Sequence, residues 1–440
     1  MEASESTDIT GGKVGQMKYT EMGAQELAAE KAAVQASYDE FKAAGRKLDM
    51  SRGKPGPEQL DLSAGLLDAV GPDTDFATAA EIDVRNYGGL PGIDGARLLM
   101  GQIMRVPSSN VLVLGSSSLT IMYELVAHAM THGIMGSTPW AKLDSVKFLC
   151  PAPGYDRHFA ICEHFGIEMI TIPMSPIGPD MDLIDSLVQT DASIKGIWCV
   201  PQYSNPQGYC YSDEVLERFS TLQPAAADFR IFWDNAYAVH HLVSAPHLVR
   251  NIRNLCERAG NPDLYYEFAS TSKVTFPGAG IAAVAASDAN IADLKGFLKY
   301  AMIGPDKINQ LRHVRYFSNG YTVEEHMKKQ AALIKPKFDM VLETLERELG
   351  GLGVGEWTKP AGGYFITFES LPGCAKRIVE LAAEAGVKMT AAGAMYPYGK
   401  DPNDTTIRIA PTYPSIEELS QAATLFAICV KLASIEKLEA

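Results

Sequence analysis

A lysine set among hydroxyls, Ser270-Thr271-Ser272-Lys273, closes the apolar run Leu264-Tyr265-Tyr266-Glu267-Phe268-Ala269. Upstream, at the end of a second apolar run, stands Asp234-Asn235-Ala236-Tyr237. Each feature alone is common. Together they offer an amine for an aldehyde, hydroxyls for a phosphate and a carboxylate for a pyridine nitrogen. These are the needs of pyridoxal phosphate (PLP), and the sequence reads as that of a PLP enzyme.

The elements that must position these groups are short apolar runs alternating with helical stretches between about residues 80 and 300. That alternation is the signature of a parallel sheet. The runs are Val111–Leu114, Val146–Cys150, Met169–Ile172, Gly196–Val200, Ile231–Trp233, Tyr265–Ala269 and Ile281–Ala286, about seven strands. Several are apolar throughout, as strands covered on both faces should be. Ligands bind such sheets at the carboxyl ends of the strands.

The residues just past each run are therefore informative. Gly115-Ser116-Ser117-Ser118 opens a helix after the first run, where free N–H groups and the dipole favour an anion; plain N-capping is the alternative. Tyr155 comes after Val146–Cys150 and could stack on a flat ring, or simply pack in a loop. Asn205, after Gly196–Val200, could donate to a phenolate oxygen. Asp234 would keep a pyridine nitrogen protonated, and Tyr237 could donate to the ring oxygen. Polar groups at five strand ends, all suited to one ligand, outweigh the separate bland readings.

At 440 residues the chain suggests two domains in contact. Hydrophobic content of 46% and charged content of 21% are those of a soluble globular enzyme. A net charge of −14 argues against nucleic acid, which needs a concentrated basic face. The acidic, polar N-terminus lacks the features of a signal peptide, and no apolar run approaches a membrane span. Seven scattered cysteines without a C-x-x-C pair fit a reducing cytoplasm rather than a disulfide or zinc framework. The expected division is a disordered tail at 1–16, a helix (about Thr20 to Ala44) and loop at 17–60, a large PLP-binding domain at 61–322 and a smaller α+β domain at 323–440. In the last, helices are expected at Val323–Leu349, Ala375–Ala385 and Ser415–Ala433, and strands at Gly363–Phe368 and Thr406–Ala410. The first helix should pack with this smaller domain.

Over roughly residues 50 to 415 the chain resembles the class I aminotransferases of PLP fold type I. The subgroup most like it is that of bacterial aspartate aminotransferases related to the aminotransferase domain of MocR-type regulators. The resemblance rests on Ser51-Arg52-Gly53-Lys54-Pro55, Asn86-Tyr87-Gly88-Gly89-Leu90-Pro91-Gly92, Gly115–Ser118, Ser204-Asn205-Pro206, Asp234–Tyr237, Ser270–Lys273, the stretch Ile303–His313 and Ile407–Thr412. It implies an α/β fold with a large, mostly parallel seven-stranded sheet domain and a smaller α+β domain.

The resemblance also implies roles. Lys273 would bond the cofactor's aldehyde and, once released, shuttle a proton, its pKa lowered by neighbouring positive charge. Asp234 would pair with the ring nitrogen, Asn205 and Tyr237 with the ring oxygen, and Tyr155 would stack. Ser116, Ser117, Ser118, Ser270 and Ser272 would hold the phosphate. Tyr87 would reach the phosphate of a partner subunit, which makes a homodimer the expected assembly. Arg408 would clamp the substrate α-carboxylate, near Gly53 and Lys54. The implied reaction moves the amino group of aspartate or glutamate to a 2-oxo acid such as 2-oxoglutarate. Lys54, Arg312 and Arg315 are candidates for the distal carboxylate, with a surface-helix reading open for the two arginines. One departure stands out: glycine occupies position 280, where the wider family places a phosphate-binding arginine.

Other signals carry less. Gly350-Gly351-Leu352-Gly353-Val354-Gly355 comes after a helix and reads as its C-cap rather than a dinucleotide fingerprint. His240-His241 lacks the spacing of a metal site. Gly362-Gly363-Tyr364 either approaches the substrate or packs. Two further functions compete: another PLP reaction on this fold (β-decarboxylation, C–S cleavage or acyl transfer), or a PLP-binding sensor without turnover. The short segment before the first helix leaves no room for the DNA-binding head such sensors carry.

Overall fold

In the computed structural model, which describes residues 17–78, 80–318 and 320–440, all seven apolar runs become strands of one sheet. The expected tail at 1–16 lies outside the described residues. The spatial order is Val111–Val113, Ala282–Ala285, Tyr265–Ser270, Arg230–Asp234, Ile194–Cys199, Lys147–Ala152, Glu168–Ser175 and an eighth strand, Gly178–Pro179. The five strands from Tyr265–Ser270 to Glu168–Ser175 run parallel. Ala282–Ala285 runs antiparallel to both its neighbours, and Gly178–Pro179 folds back on Glu168–Ser175. This eighth strand has only two residues and ends in proline, so no apolar run announces it.

Helices cover both faces, which is why Val111–Val113, Ile194–Cys199 and Arg230–Asp234 are buried at every residue. Their starts are written locally. Asp180, Ser212, Asn251 and Ser287 each accept from a backbone N–H of the following first turn.

The C-terminal part is built on the antiparallel sheet Gly355–Trp357, Ile366–Ser370 and Thr406–Ile409. The helix Val323–Leu349 begins in a reciprocal cap, Glu325 N donating to Thr322 Oγ1 (3.1 Å) and Thr322 N to Glu325 Oε2 (2.8 Å). Helices Ala375–Glu384 and Ile416–Glu439 complete the layer. The last is long and apolar enough to cross a bilayer, contrary to the sequence expectation. Its apolar residues Leu419, Leu425, Phe426, Val430 and Ile435 are instead packed in the core, each at 0% exposure.

The first helix starts at Ala24, not Thr20, because Gly23 N finds Glu26 Oε2 at 2.9 Å and sets the cap there; Tyr19–Glu21 is a separate 3-10 turn. Leu27, Val34, Tyr38 and Phe41 join the apolar cluster of Leu381, Leu425 and Phe426. Tyr38 OH donates to Leu381 O at 2.9 Å, and Leu48–Asp49 pairs in parallel with Val387–Lys388. The two ends of the chain thus share one core.

Candidate active site

Parallel pairing sets Asp234 opposite Phe268, so the Asp234 turn and the Ser270–Lys273 loop leave the same edge of the sheet. Asp234 is buried, and its Oδ2 accepts from His158 Nε2 at 3.1 Å. His158 in turn lies flat against Trp198, with ring centroids 4.6 Å apart. The other oxygen, Oδ1, is buried and has no hydrogen-bond partner among the described residues. A buried carboxylate oxygen left single is costly, of order 1–3 kcal/mol, unless a ligand group completes it.

The Lys273 ammonium lies 5.0 Å from the centre of the Tyr237 ring and 6.0 Å from that of Tyr364. Burial is the main force pulling it below the usual lysine range; Asp234 opposes and the Arg408 guanidinium assists. The sequence expectation, which rested on positive charge, named the smaller cause. Tyr237 is buried and held far above the usual phenol range by that burial, and Tyr155, edge-on to His158 at 4.9 Å, is pushed up to about 12. Both remain phenols, able to donate.

Arg408 crosses from the small sheet into this site. Its Nη1 donates to Asn205 Oδ1 (3.2 Å), its Nη2 to Thr390 Oγ1 (3.2 Å), and Asp156 Oδ1 lies 3.6 Å from Nη1. The guanidinium stacks on Phe365 at 4.7 Å. Gly53 lies against that same phenyl ring: a Cβ there would come within 2.4 Å of it. Arg408 Nε is buried with no partner among the described residues.

A hydroxyl cup adjoins the lysine. Ser270 Oγ donates to Ser272 Oγ (3.0 Å), and Ser272 Oγ to the Ser116 carbonyl (3.3 Å). Ser117 caps the helix Ser118–His132 without a side-chain hydrogen bond, so its hydroxyl and the first-turn N–H groups stay free for an anion. Position 280 is tight for a side chain. A Cβ at Gly280 would already lie 3.1 Å from Thr271 Oγ1 and 3.3 Å from Ser272 N.

Four predicted residues stand apart from this cluster. Lys54 is exposed, its Nζ 3.7 Å from the Tyr413 ring centre. Tyr87 is 82% exposed on a loop held by Lys307 Nζ, which donates to the Gly88 carbonyl at 2.8 Å. Arg312 sits on the helix Lys307–Tyr316, one turn beyond Asn309, whose Nδ2 donates to the Ala279 and Gly280 carbonyls (3.1 and 2.9 Å). Its Nε is buried without a partner among the described residues. Arg315 is engaged elsewhere, donating to Asp75 O at 2.6 Å.

The lysine loop has supports that local sequence patterns do not disclose. His240, pulled down to about 3 by burial, is neutral, and its Nε2 donates to the Lys273 carbonyl at 3.3 Å. Tyr364 OH donates to the same oxygen (3.3 Å), while His326 Nε2 and Gln330 Nε2 donate to Val274 O (2.7 and 3.2 Å). His313, pulled down to about 4 mainly by burial, is also neutral. Its Nδ1 donates to Asn309 O (2.8 Å), which leaves Nε2 to accept from Thr271 and Thr275 (3.2 and 3.0 Å). Among the described residues no His, Cys, Asp or Glu cluster is arranged for a metal.

The donor set fits PLP: a single carboxylate oxygen, a buried amine of lowered pKa, two phenols and a hydroxyl cup beside a helix N-terminus. Comparison with known proteins agrees. The profile of the family described as aspartate amino-transferase matches residues 22–440. An aspartate aminotransferase of Corynebacterium glutamicum is 46% identical over 404 residues, covering 92% of this chain and 93% of that protein. The crystal structure of an aspartate transaminase from the same species superposes with a TM-score of 0.93 at 44% identity, covering 96% of this chain and 99% of that one. A Thermus thermophilus alpha-aminoadipate aminotransferase, complexed with N-(5'-phosphopyridoxyl)-L-leucine, shares the fold with a TM-score of 0.72 at 19% identity. It covers 95% of this chain and 100% of that one.

Proposed function

The chain belongs to the aspartate amino-transferase family, and we propose that it holds PLP on Lys273 and transfers the amino group of an acidic L-amino acid to a 2-oxo acid such as 2-oxoglutarate. The observation that carries this reading is the lone buried Oδ1 of Asp234 in the same site as Lys273 and Arg408. The large, mostly parallel sheet domain with its smaller partner is PLP fold type I.

When bound, PLP supplies a protonated ring that takes up the electron pair released as the substrate Cα–H bond breaks. Asp234 Oδ1 would accept the ring N–H, since the His158 hydrogen bond occupies the other oxygen. Lys273 Nζ, its proton affinity lowered mainly by burial, would move the proton between the substrate Cα and the cofactor's aldehyde carbon. Tyr237 and the amide of Asn205 would donate to the ring oxygen, and Tyr155 would cover a ring face. Ser116, Ser117, Ser118, Ser270 and Ser272 would hold the phosphate with neutral donors. Arg408 holds the α-carboxylate bidentately, oriented by Asn205 and Phe365.

For the distal carboxylate Arg312 is the preferred cation, with Lys54 and the Gly53 backbone at the opening. Tyr87 extends toward the phosphate of a second copy in a homodimer. The large exposures of Tyr87, Tyr300 and Ile303 (82%, 85% and 65%), on segments that meet where Gly88 packs on Gly304, support that assembly. Seven free cysteines, all but Cys210 buried, suit a reducing cytoplasm.

The test is direct. Protein reconstituted with PLP and mixed with aspartate and 2-oxoglutarate should form glutamate, and Lys273→Ala should lose both activity and the borohydride-stable pyridoxyl adduct on its peptide. No glutamate from the wild-type protein, with release of CO2 from aspartate instead, would replace this reaction by another.

A further inference from the structure

Behind Asp234 lies a buried polar pair, Glu267 and Asn235. Glu267 is 1% exposed in the middle of the strand Tyr265–Ser270, and Asn235 comes directly after Asp234. Asn235 Nδ2 donates to Glu267 Oε1 at 3.0 Å. The remaining atoms of the two groups, Glu267 Oε2 and Asn235 Oδ1, are both buried and both lack a partner among the described residues. Two acceptors cannot satisfy each other. One proton on Oε2 resolves both at once, because the acid then donates to Oδ1 while Oε1 still accepts from Nδ2. An acid and a primary amide close such a ring of two hydrogen bonds naturally.

The surroundings favour that proton. Burial raises the Glu267 carboxyl to about 7; the Asn235 bond and the Arg105 guanidinium, at the end of the helix Asp94–Met104, pull the other way. Tyr265, two residues back on the strand, is buried and stays a neutral phenol. Arg253, Cys256 and Glu257 of the helix Ile252–Ala259 act on Tyr265 from the packed face. Trp233, opposite Glu267 in register, brings no charge. Asn235 is held a second time, its N–H donating to Phe268 O at 2.8 Å.

We infer that Glu267 is a positioning residue for Asp234: a neutral acid closed onto the Asn235 carboxamide, fixing the turn from which the Asp234 carboxylate faces the cofactor. The inference deepens the proposed function, since it rests on Asp234 as the ring-nitrogen partner. Glu267→Gln is its decisive variant. An amide–amide pair keeps both hydrogen bonds and removes the titrating proton.

Infrared spectra of the cofactor-free protein at pH 6 should show a buried carboxylic-acid carbonyl band, fading through about pH 7, that Glu267→Gln lacks. In PLP titrations followed by absorbance, wild-type affinity should weaken about fivefold between pH 6 and 8.5 relative to Glu267→Gln, roughly one hydrogen bond. Glu267→Leu should bind weakly at both. Identical carbonyl bands in wild type and Gln variant would overturn the neutral acid whatever the reaction proves to be. A band that behaves as expected, with superimposable affinity profiles, would overturn the link to Asp234. If Glu267→Gln does not fold, Asn235→Ala deletes the other half of the ring and must shift the wild-type band; an unmoved band counts against the pair.

Discussion

Arg408 Nη1 donates to Asn205 Oδ1 at 3.2 Å, joining a strand of the small sheet to a loop of the large one across the site. The residue that would grip the substrate is thus aligned by a residue that would touch the cofactor. Arg408→Ala should lower kcat/KM for amino acids by about a hundredfold, the upper range for a hydrogen bond to a charged group. Arg408→Lys should recover only part of it, because an ammonium cannot form the fork. Steady-state kinetics of both variants check this; full recovery by lysine would rule out bidentate holding.

Gly53→Ala should damage the same grip from behind. The added methyl lands 2.4 Å from the Phe365 ring, which also stacks on the Arg408 guanidinium. Crowding of this kind costs about 1–3 kcal/mol. Calorimetry should show a lowered Tm, and kinetics a raised KM with a smaller change in kcat. An unchanged Tm would mean that the ring moves aside freely.

Arg312→Ala should raise KM for aspartate much more than for an apolar amino acid. Equal effects on both would remove Arg312 from the distal carboxylate. Weaker PLP binding with an unchanged substrate preference would point instead to the phosphate, whose usual arginine is replaced by Gly280.

The raised pKa of Glu267 also bears on stability, and the sign is set by proton uptake. The folded protein binds this proton up to about pH 7, whereas an unfolded glutamate releases it near 4.3. Its contribution is present in full below the unfolded value and is lost as pH rises through the folded one. Relative to Glu267→Gln, the wild-type protein should lose on the order of 3 kcal/mol between those limits and nothing more above pH 8. Denaturant melts of the pair at pH 5, 6, 7 and 8 measure the difference, and parallel curves would refute it.

The sequence makes the sheet and the polar groups at its strand ends legible because each is written locally, as an apolar run followed by one diagnostic side chain. Arg408, inside the strand Thr406–Ile409, is reached only through the family resemblance. The groups around Lys273 are not local. His240 and Tyr364 meet at its carbonyl from positions 33 residues before and 91 residues after it. From sequence the first reads only as half of a histidine pair, and the second as part of a strand start that either approaches the substrate or packs. Glu267 reads as one polar residue in a buried strand, and its meaning depends on Asn235 lying across the sheet at 3.0 Å. Gly178–Pro179 escapes notice because two residues carry no periodicity.

The helix Val323–Leu349 grips Val274 through His326 and Gln330, and reaches Thr412 and Pro414 through Lys337 Nζ, at 3.1 and 2.7 Å from their carbonyls. It works as a tie rod between the neighbour of Lys273, the proposed cofactor lysine, and the segment just past Arg408, the proposed substrate arginine. Damage at Gln330 or Lys337, neither of which meets a reactant, would therefore register as impaired turnover and mimic an injured catalytic group.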